Sequence, residues 1–245
     1  EIDPENSLRF KLTEIGDKDR VDVILTNPPF GGEEEAGTKG NFPSDLQTAE
    51  TALLFLQLIM RRLRRPGSKA GKGGRAAVVV PNGALFGDGV CARIKEQLLK
   101  GFNLHTIVRL PNGVFSPYTS IPTNLLFFDR PGPTKEIWYY EHPLPEGRKN
   151  YTKTQPLRFE EFKTCLDWWK CRKENERAWK VKTEDVLKYN GDGRLVAVNL
   201  DLKNPRAKND IVHRPPEELV ASILEKEQRI IEIMGRIREL LEKPL

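Results

Sequence analysis

Short, nearly continuous apolar runs alternate with helical patterns over the first 130 residues of the chain. From these patterns we expect strands at 21–25, 76–80, 104–110 and 125–128, and helices at 48–63 and 90–100. Strands that are apolar on both faces are typical of a sheet covered by helices on both sides. The alternation therefore predicts an α/β fold with a buried, largely parallel sheet.

The pattern changes after residue 129. The break Pro131-Gly132-Pro133 precedes one further expected strand at 137–140, and the polar, proline-rich stretch 143–215 predicts an irregular extension that wraps the α/β body. A last helix is predicted from Pro216 to Glu242. We therefore expect three parts, at residues 1–142, 143–215 and 216–245.

Composition and charge exclude several classes of protein. The chain has 245 residues, of which 31% are charged, and a formal net charge of +5. Its densest apolar stretch, 53–60, is far shorter than the roughly 18 residues of a membrane span, and the polar, acidic N-terminus does not resemble a signal peptide. The first residue is not Met, so we expect the chain to begin inside a longer protein.

Cysteine and histidine are too few and too scattered to suggest a metal site. The three cysteines and three histidines show no paired spacing, whereas a structural zinc site needs about four ligands in close pairs. We expect reduced thiols, a cytoplasmic location and no metal.

The tetrapeptide Asn27-Pro28-Pro29-Phe30 follows the first predicted strand directly. Although such a sequence can be an ordinary turn after a strand, ligands of α/β sheets bind outside the carboxyl ends of the strands. Two prolines contribute no N–H and restrict φ, which leaves a rigid set of acceptors. The Asn27 side-chain carbonyl and the Pro28 backbone carbonyl can both accept hydrogen bonds from one amino group and favour its nucleophilic, pyramidal form. Phe30 offers a flat face on which a base can stack.

This motif resembles that of amino-methyltransferases that use S-adenosylmethionine. The segments 21–31 (VDVILTNPPFG), 76–86 (AAVVVPNGALF) and 107–111 (IVRLP) narrow the similarity to the modification (M) subunit of type I restriction-modification systems. The resemblance covers roughly residues 20–130 and implies the second half of a Rossmann-like methyltransferase domain. It also implies that the strands at 104–110 and 125–128 form a reversed hairpin at the sheet edge.

The chain departs from this family in its N-terminal part. Members hold the cofactor on a glycine-containing turn after the first strand and on an acidic residue after the second, but only 20 residues precede Val21 and they contain no such turn. The chain therefore resembles the C-terminal portion of an M subunit. We assign no cofactor-binding residue, expect S-adenosylmethionine to bind the full-length protein, and expect the isolated chain to be inactive.

The resemblance implies an adenine-specific DNA methyltransferase that methylates the exocyclic amine of a flipped adenine. It also implies partners: DNA, a specificity subunit, a restriction subunit and a possible second M subunit. Two alternatives stay open. One is methylation of glutamine amides in proteins, although Tyr is usual there at the position of Phe30, and the other is a non-catalytic assembly or DNA-binding fragment.

Two further features suggest contacts with partners. A basic segment could touch DNA phosphate or could be a solvated loop; its members are Arg61, Arg62, Arg64, Arg65, Lys69, Lys72 and Arg75. The C-terminal helix carries a heptad seam formed by Val220, Ile223, Glu227, Ile230, Met234, Ile237 and Leu241. We expect this helix to dock on the specificity subunit, the alternative being that it packs only on its own domain.

Overall fold

The computed structural model describes residues 4–32, 34, 36–67, 71, 73–207 and 216–241. The chain divides into two units, residues 1–207 and residues 208–245. Within the described ranges the helices are α1 (Ala36–Lys39), α2 (Thr51–Arg62), α3 (Gly89–Gly101), α4 (Lys163–Lys170), α5 (Thr183–Val186) and α6 (Pro216–Leu241). The strands are β1 (Val23–Thr26), β2 (Arg75–Pro81), β3 (Asn103–Arg109), β4 (Thr123–Asp129), β5 (Glu136–Glu141), β6 (Ala178–Lys182), β7 (Leu187–Tyr189) and β8 (Leu195–Val198).

Six strands form one mixed sheet in the order β1-β2-β4-β3-β5-β6. The pairs β1–β2 and β3–β5 are parallel, whereas β2–β4, β3–β4 and β5–β6 are antiparallel. The prediction of a largely parallel sheet was therefore wrong, because β4 enters between β2 and β3 in the reverse direction. The strands β3 and β4 do form the expected reversed pair, but β5 and β6 continue the sheet beyond them, so this pair is not at the edge.

Apolar side chains on the two faces of the sheet form two separate clusters. Leu53 of α2 packs with Val78 and Ile107 in the main core, to which α3 also contributes. Because successive strand residues point to opposite faces, Val108 packs on the other side, where it joins Trp168 of α4. Full burial of one such side chain stabilises the fold by about 1.5–3 kcal/mol. Helices α2 and α3 thus pack on one face of the sheet and α4 on the other.

Regular structure is present between residues 143 and 207, where the sequence predicted an irregular extension. Strand β6 pairs with β5, and β7 and β8 form a second sheet of two strands. Aromatic side chains anchor this region: the ring of Trp179 stacks on that of Tyr139 at a centroid distance of 5.2 Å. A few aromatic side chains bury a large apolar area, although most residues of this stretch are polar.

The C-terminal helix α6 is described by itself. It has 26 residues, and it begins at Pro216 with Glu217 and Glu218 in its first turn, as helix starts prefer. Its exposed apolar side chains are Leu219, Val220, Ile223, Leu224, Ile230, Ile231, Ile233, Met234 and Ile237. None of the helices in the described ranges combines the length and the hydrophobicity needed to cross a membrane.

Candidate active site at the carboxyl edge of the sheet

The Asn27–Phe30 loop begins at the residue after β1. Since β1, β2, β3 and β5 run in the same direction, their carboxyl ends lie at one edge of the sheet. Thr26 pairs with Val78, so the continuing register places the loop beside the end of β2. The Asn27 side chain is exposed and has no hydrogen-bond partner among the described residues, whereas Pro28 is buried. The structure thus presents the Asn27 amide to solvent on an anchored loop, at the edge where ligands of such sheets bind.

Phe30 is supported from the side by a second aromatic ring. Its centroid lies 4.7 Å from that of Phe115, and the two ring planes meet at 74°. This edge-to-face geometry is favourable for aromatic pairs. Phe115 belongs to the loop between β3 and β4, and its contact with Phe30 was not predicted from the sequence. Contact between the two loops fixes one side of Phe30 and leaves it half-buried.

The other end of the motif is tied to helix α2. The Thr51 hydroxyl donates a hydrogen bond to the backbone carbonyl of Gly32, at 3.0 Å. Gly32 has a φ of 111°, a conformation that glycine adopts without steric cost. This bond joins the chain just after Phe30 to the first turn of α2, so the loop is held at both ends.

The loop that carries Phe115 depends on close contact between two backbones. The Tyr151 amide donates to the carbonyl of Asn112 at 3.0 Å. Gly113 has a φ of 80°, and a Cβ added there would lie 2.1 Å from the carbonyl oxygen of Tyr151. The Tyr151 hydroxyl in turn donates to Glu161 at 2.6 Å, and this bond lowers the pKa of the Glu161 carboxyl. Only glycine fits between these groups.

We expect Gly113→Ala to destabilise the protein, by about 1–3 kcal/mol for the strained backbone conformation and by more because the added methyl overlaps the Tyr151 carbonyl. Gly147→Ala is the matched control, since Gly147 has a φ of 78° but nothing within 4 Å of the added carbon. Urea denaturation of both variants measures the difference. Equal losses of unfolding free energy would show that the contact with Tyr151 contributes nothing.

A polar network connects the strand ends next to the motif. Asn124 donates to Asn82 at 3.1 Å, and Asn82 donates to Asp201 at 2.9 Å. The other carboxylate oxygen of Asp201 forms an ion pair with Arg109 Nη1 at 2.6 Å. The angles at this contact do not meet the criteria for a hydrogen bond. These four residues come from separate parts of the chain, so the sequence offered no signal that they meet. The network holds β2, β3, β4 and the segment around 201 together at this edge.

The described members of the basic segment lie at the opposite edge of the sheet. The end of α2 is bonded to the chain before β1, through Val21 N and Arg62 O at 2.9 Å, and Arg75 begins β2. Arg64 forms an ion pair with Asp22 at 2.6 Å. The members concerned are Arg61, Arg62, Arg64, Arg65 and Arg75; Lys69 and Lys72 lie outside the described residues. The structure therefore does not bring these five arginines to Asn27, and contact of the basic segment with DNA stays a prediction.

One face of β1 carries apolar side chains that the described part of the chain leaves exposed. Val23 is 46% exposed and Leu25 is 77% exposed, although strands in parallel arrangements are normally buried on both faces. Strand β1 is the first strand of the described residues, so no glycine-containing turn after an earlier strand is described. In the described ranges no group of His, Cys, Asp or Glu side chains is suited to hold a metal ion.

A mixed α/β sheet with an Asn-Pro-Pro-Phe loop after a strand, at its carboxyl edge, defines the class of methyltransferases that act on amino groups. Comparison with protein families agrees: the N-6 DNA Methylase model matches residues 1–197. The chain belongs to this family.

Individual relatives are type I methylase subunits. The chain is 51% identical to the type I restriction enzyme EcoEI methylase subunit of Escherichia coli over 248 aligned residues, covering 98% of this chain and 47% of the relative. It is 30% identical to the EcoKI methylase subunit of Escherichia coli K12, covering 76% of this chain and 34% of that one. The chain therefore spans about half the length, or less, of these relatives.

Solved structures of type I systems are also similar to this chain. A modification subunit of a putative type I restriction enzyme from Vibrio vulnificus matches with a TM-score of 0.83 and 66% identity, covering 86% of this chain and 44% of that one. A chain from a study of complex assembly in a type I system matches with a TM-score of 0.72 and 42% identity, covering 98% of this chain and 49% of that one. The resemblance expected from the sequence is confirmed.

Proposed function

We propose that this chain is the target-base half of an adenine-specific DNA methyltransferase, the M subunit of a type I restriction-modification system. The intact subunit would transfer a methyl group from S-adenosylmethionine to the exocyclic amine of adenine. The observation that carries the proposal is the exposed, unpartnered Asn27 amide on an anchored loop at the carboxyl edge of the sheet. Membership of the N-6 DNA methylase family supports it.

The residues of the loop have distinct tasks in this mechanism. The side-chain carbonyl of Asn27 and the backbone carbonyl of Pro28 accept the two hydrogens of the adenine amine. Accepting both hydrogens draws the nitrogen towards a pyramidal geometry, in which its lone pair is no longer delocalised into the ring and can act as a nucleophile. Phe30 stacks on the base, and Phe115 holds Phe30 in place. The base must leave the duplex to reach this loop, so base flipping is part of the mechanism.

The cofactor half of the enzyme is expected in another part of the intact subunit. Strand β1 is the end strand of the sheet in the described residues, so further strands would pair with its free edge. The helices that connect those strands would cover the exposed side chains of Val23 and Leu25. Relatives that are about twice as long support this arrangement. On this proposal residues 1–142 form the target-base part, and the isolated chain does not methylate DNA.

A methyl-transfer assay on DNA tests the proposal. The intact subunit, combined with its specificity subunit, should methylate adenine, whereas the same assay with this chain alone should give only background. Methyl transfer to the glutamine amide of a protein substrate, with none to DNA, would support the alternative substrate instead. Phe30 is evidence against that alternative, because glutamine methyltransferases usually have Tyr at this position. Absence of transfer by the intact complex would leave an assembly role.

We expect this chain alone to bind S-adenosylmethionine very weakly, because the glycine turn and the ribose-binding acid of the family are missing from it. Isothermal titration calorimetry with the isolated chain measures this affinity, with the intact subunit as the control. Low-micromolar binding to the isolated chain would contradict the division into halves.

Helix α6 is proposed as the assembly element, residues 216–245, that docks on the specificity subunit. The exposed residues Ile223, Ile230 and Met234 lie on one heptad seam, while Glu225 and Arg229 lie off it. A helix with this much exposed apolar surface is expected to be covered by a partner. The restriction subunit and a second M subunit complete the proposed set of protein partners, and DNA is the substrate.

A further inference from the structure

A cavity of about 510 Å³ opens at the carboxyl edge of the sheet, beyond the ends of β2, β3 and β5. Three prolines and two leucines form its apolar walls, and its polar lining consists of Asn82, Arg109, Asn112, Glu141, His142 and Arg177. Asn82 follows β2, the strand adjacent to β1, which carries the Asn27 loop. The cavity therefore begins one strand away from that loop and extends along the same edge.

His142 is the lining residue that most clearly lacks a partner. It is 3% exposed, and its ring lies against Phe162 at a centroid distance of 4.6 Å. Neither ring nitrogen has a hydrogen-bond partner among the described residues, although buried polar groups are nearly always paired. His142 is one of the residues that line the cavity. A ligand there could supply the missing partner.

The imidazole of His142 offers one donor and one acceptor. Burial lowers the pKa of this side chain, and the positive charge of Arg177 lowers it further, while Glu161 acts in the opposite direction. The ring is therefore neutral near pH 7, with one nitrogen protonated and the other free to accept. One nitrogen of such a ring can donate a hydrogen bond to, or accept one from, a group on the edge of a nucleobase.

The remaining polar groups fit a nucleotide. One carboxylate oxygen of Glu141 accepts from Asn204 at 3.0 Å, which leaves the other oxygen to accept from a base amine. The charge of Arg109 is balanced by Asp201. Arg177 is exposed at the rim, and its guanidinium makes no hydrogen bond or ion pair with the described residues. It is the cation placed to meet a backbone phosphate.

We propose that this cavity binds a base of the DNA strand that flanks the target adenine, with His142 and Glu141 on the base edge and Arg177 on the phosphate. The inference rests on the proposed function, since it assumes that adenine reaches Asn27. Four strand intervals of about 4.8 Å separate β1 from β5, which gives roughly 19 Å between Asn27 and the far wall. That distance suits a nucleotide a few positions from the target. In enzymes that flip bases, contacts to flanking nucleotides help to set sequence context.

Steady-state methylation by the intact subunit with its specificity subunit tests the proposal. We expect His142→Phe to raise the KM for DNA about fivefold or more and to change kcat little, because the lost contacts hold the strand and not the reacting amine. Arg177→Ala should also raise the KM for DNA. Because Arg177 is exposed at the rim, this variant tests the pocket even if the buried His142→Phe variant misfolds. His105→Phe is the matched control, since His105 lines a different cavity at the opposite edge.

Abasic substitutions locate the nucleotide. When each position near the target adenine is made abasic in turn, one position should raise the KM of the unmodified enzyme, and at that position His142→Phe should have no further effect. If the KM penalty of His142→Phe is the same at every abasic position, or if there is no penalty at all, the pocket proposal is overturned.

A binding measurement separates this proposal from the proposed function. With ¹⁵N-histidine in the 245-residue chain, millimolar single-stranded trideoxynucleotides should shift the ring resonances of His142, assigned through His142→Phe, and leave those of His105 unchanged. Unmoved His142 resonances would overturn the pocket even if the intact enzyme methylates DNA. Conversely, shifts at His142 without any methylation by the intact complex would retain the pocket and reject the proposed function.

Discussion

Replacing Asn27 by Ala in the intact methylase should lower kcat for methyl transfer by at least about 10²–10³-fold, the usual effect of removing one preorganised hydrogen-bonding group. Affinity for S-adenosylmethionine should change little, because Asn27 acts on the target amine and binds no part of the cofactor in this mechanism. Single-turnover methylation of DNA and calorimetry with the cofactor measure the two effects separately.

Phe30 provides the comparison for this experiment. Phe30→Ala should mainly weaken productive binding of the base, since stacking on an aromatic side chain contributes about 1–3 kcal/mol, while Phe30→Tyr and Phe30→Trp should be tolerated. Near-normal turnover by Asn27→Ala would remove Asn27 from the catalytic role, whatever Phe30 does.

Deleting residues 217–245 should leave the α/β body folded and prevent stable association with the specificity subunit. The body forms a compact unit up to residue 207 without this segment, so circular dichroism and thermal unfolding should show little change. Burying only two of the exposed apolar side chains of α6 would contribute about 3–6 kcal/mol to binding. Loss of these contacts would raise Kd roughly 10²–10⁴-fold, which co-purification and analytical ultracentrifugation can detect.

Substitutions within α6 refine this experiment. Ile230→Asp with Met234→Asp should weaken the complex nearly as much as the deletion, because both residues lie on the apolar seam. Glu225→Ala with Arg229→Ala is the matched control on the charged side of the helix and should leave the complex intact. A truncated protein that still purifies in a normal complex would refute the docking role.

Local patterns predicted the elements well wherever one element has one dominant periodicity. The apolar recurrence over 48–63 corresponds to α2, and the β-branched run 76–80 lies within β2. The Asn27 loop was placed correctly after β1, because prolines end a strand and the motif follows it without a gap. These predictions depend only on residues close together in the chain.

The patterns failed where the outcome depended on which strand pairs with which. Strand β4 inserts antiparallel between β2 and β3, and β6 adds outside β5. The apolar runs do not predict either pairing, since an apolar strand is buried equally well in either direction. The stretch 143–207 was predicted to be irregular because its many charges hide a few aromatic residues, such as Trp168 and Trp179, that are buried.

The family, the α/β class of the fold and the position of the Asn27-Pro28-Pro29-Phe30 loop after β1 could be predicted from the sequence, since each depends on contiguous residues. The catalytic role of the loop stays a prediction. Other contacts became visible only in the folded chain: Phe115 supports Phe30, Asn82 and Arg109 meet Asp201, and His142 lines a cavity on the same edge. These contacts join residues tens of positions apart, and they arise because the order of strands in the sheet brings their ends together. That order is set by packing over the whole core, which no local pattern encodes.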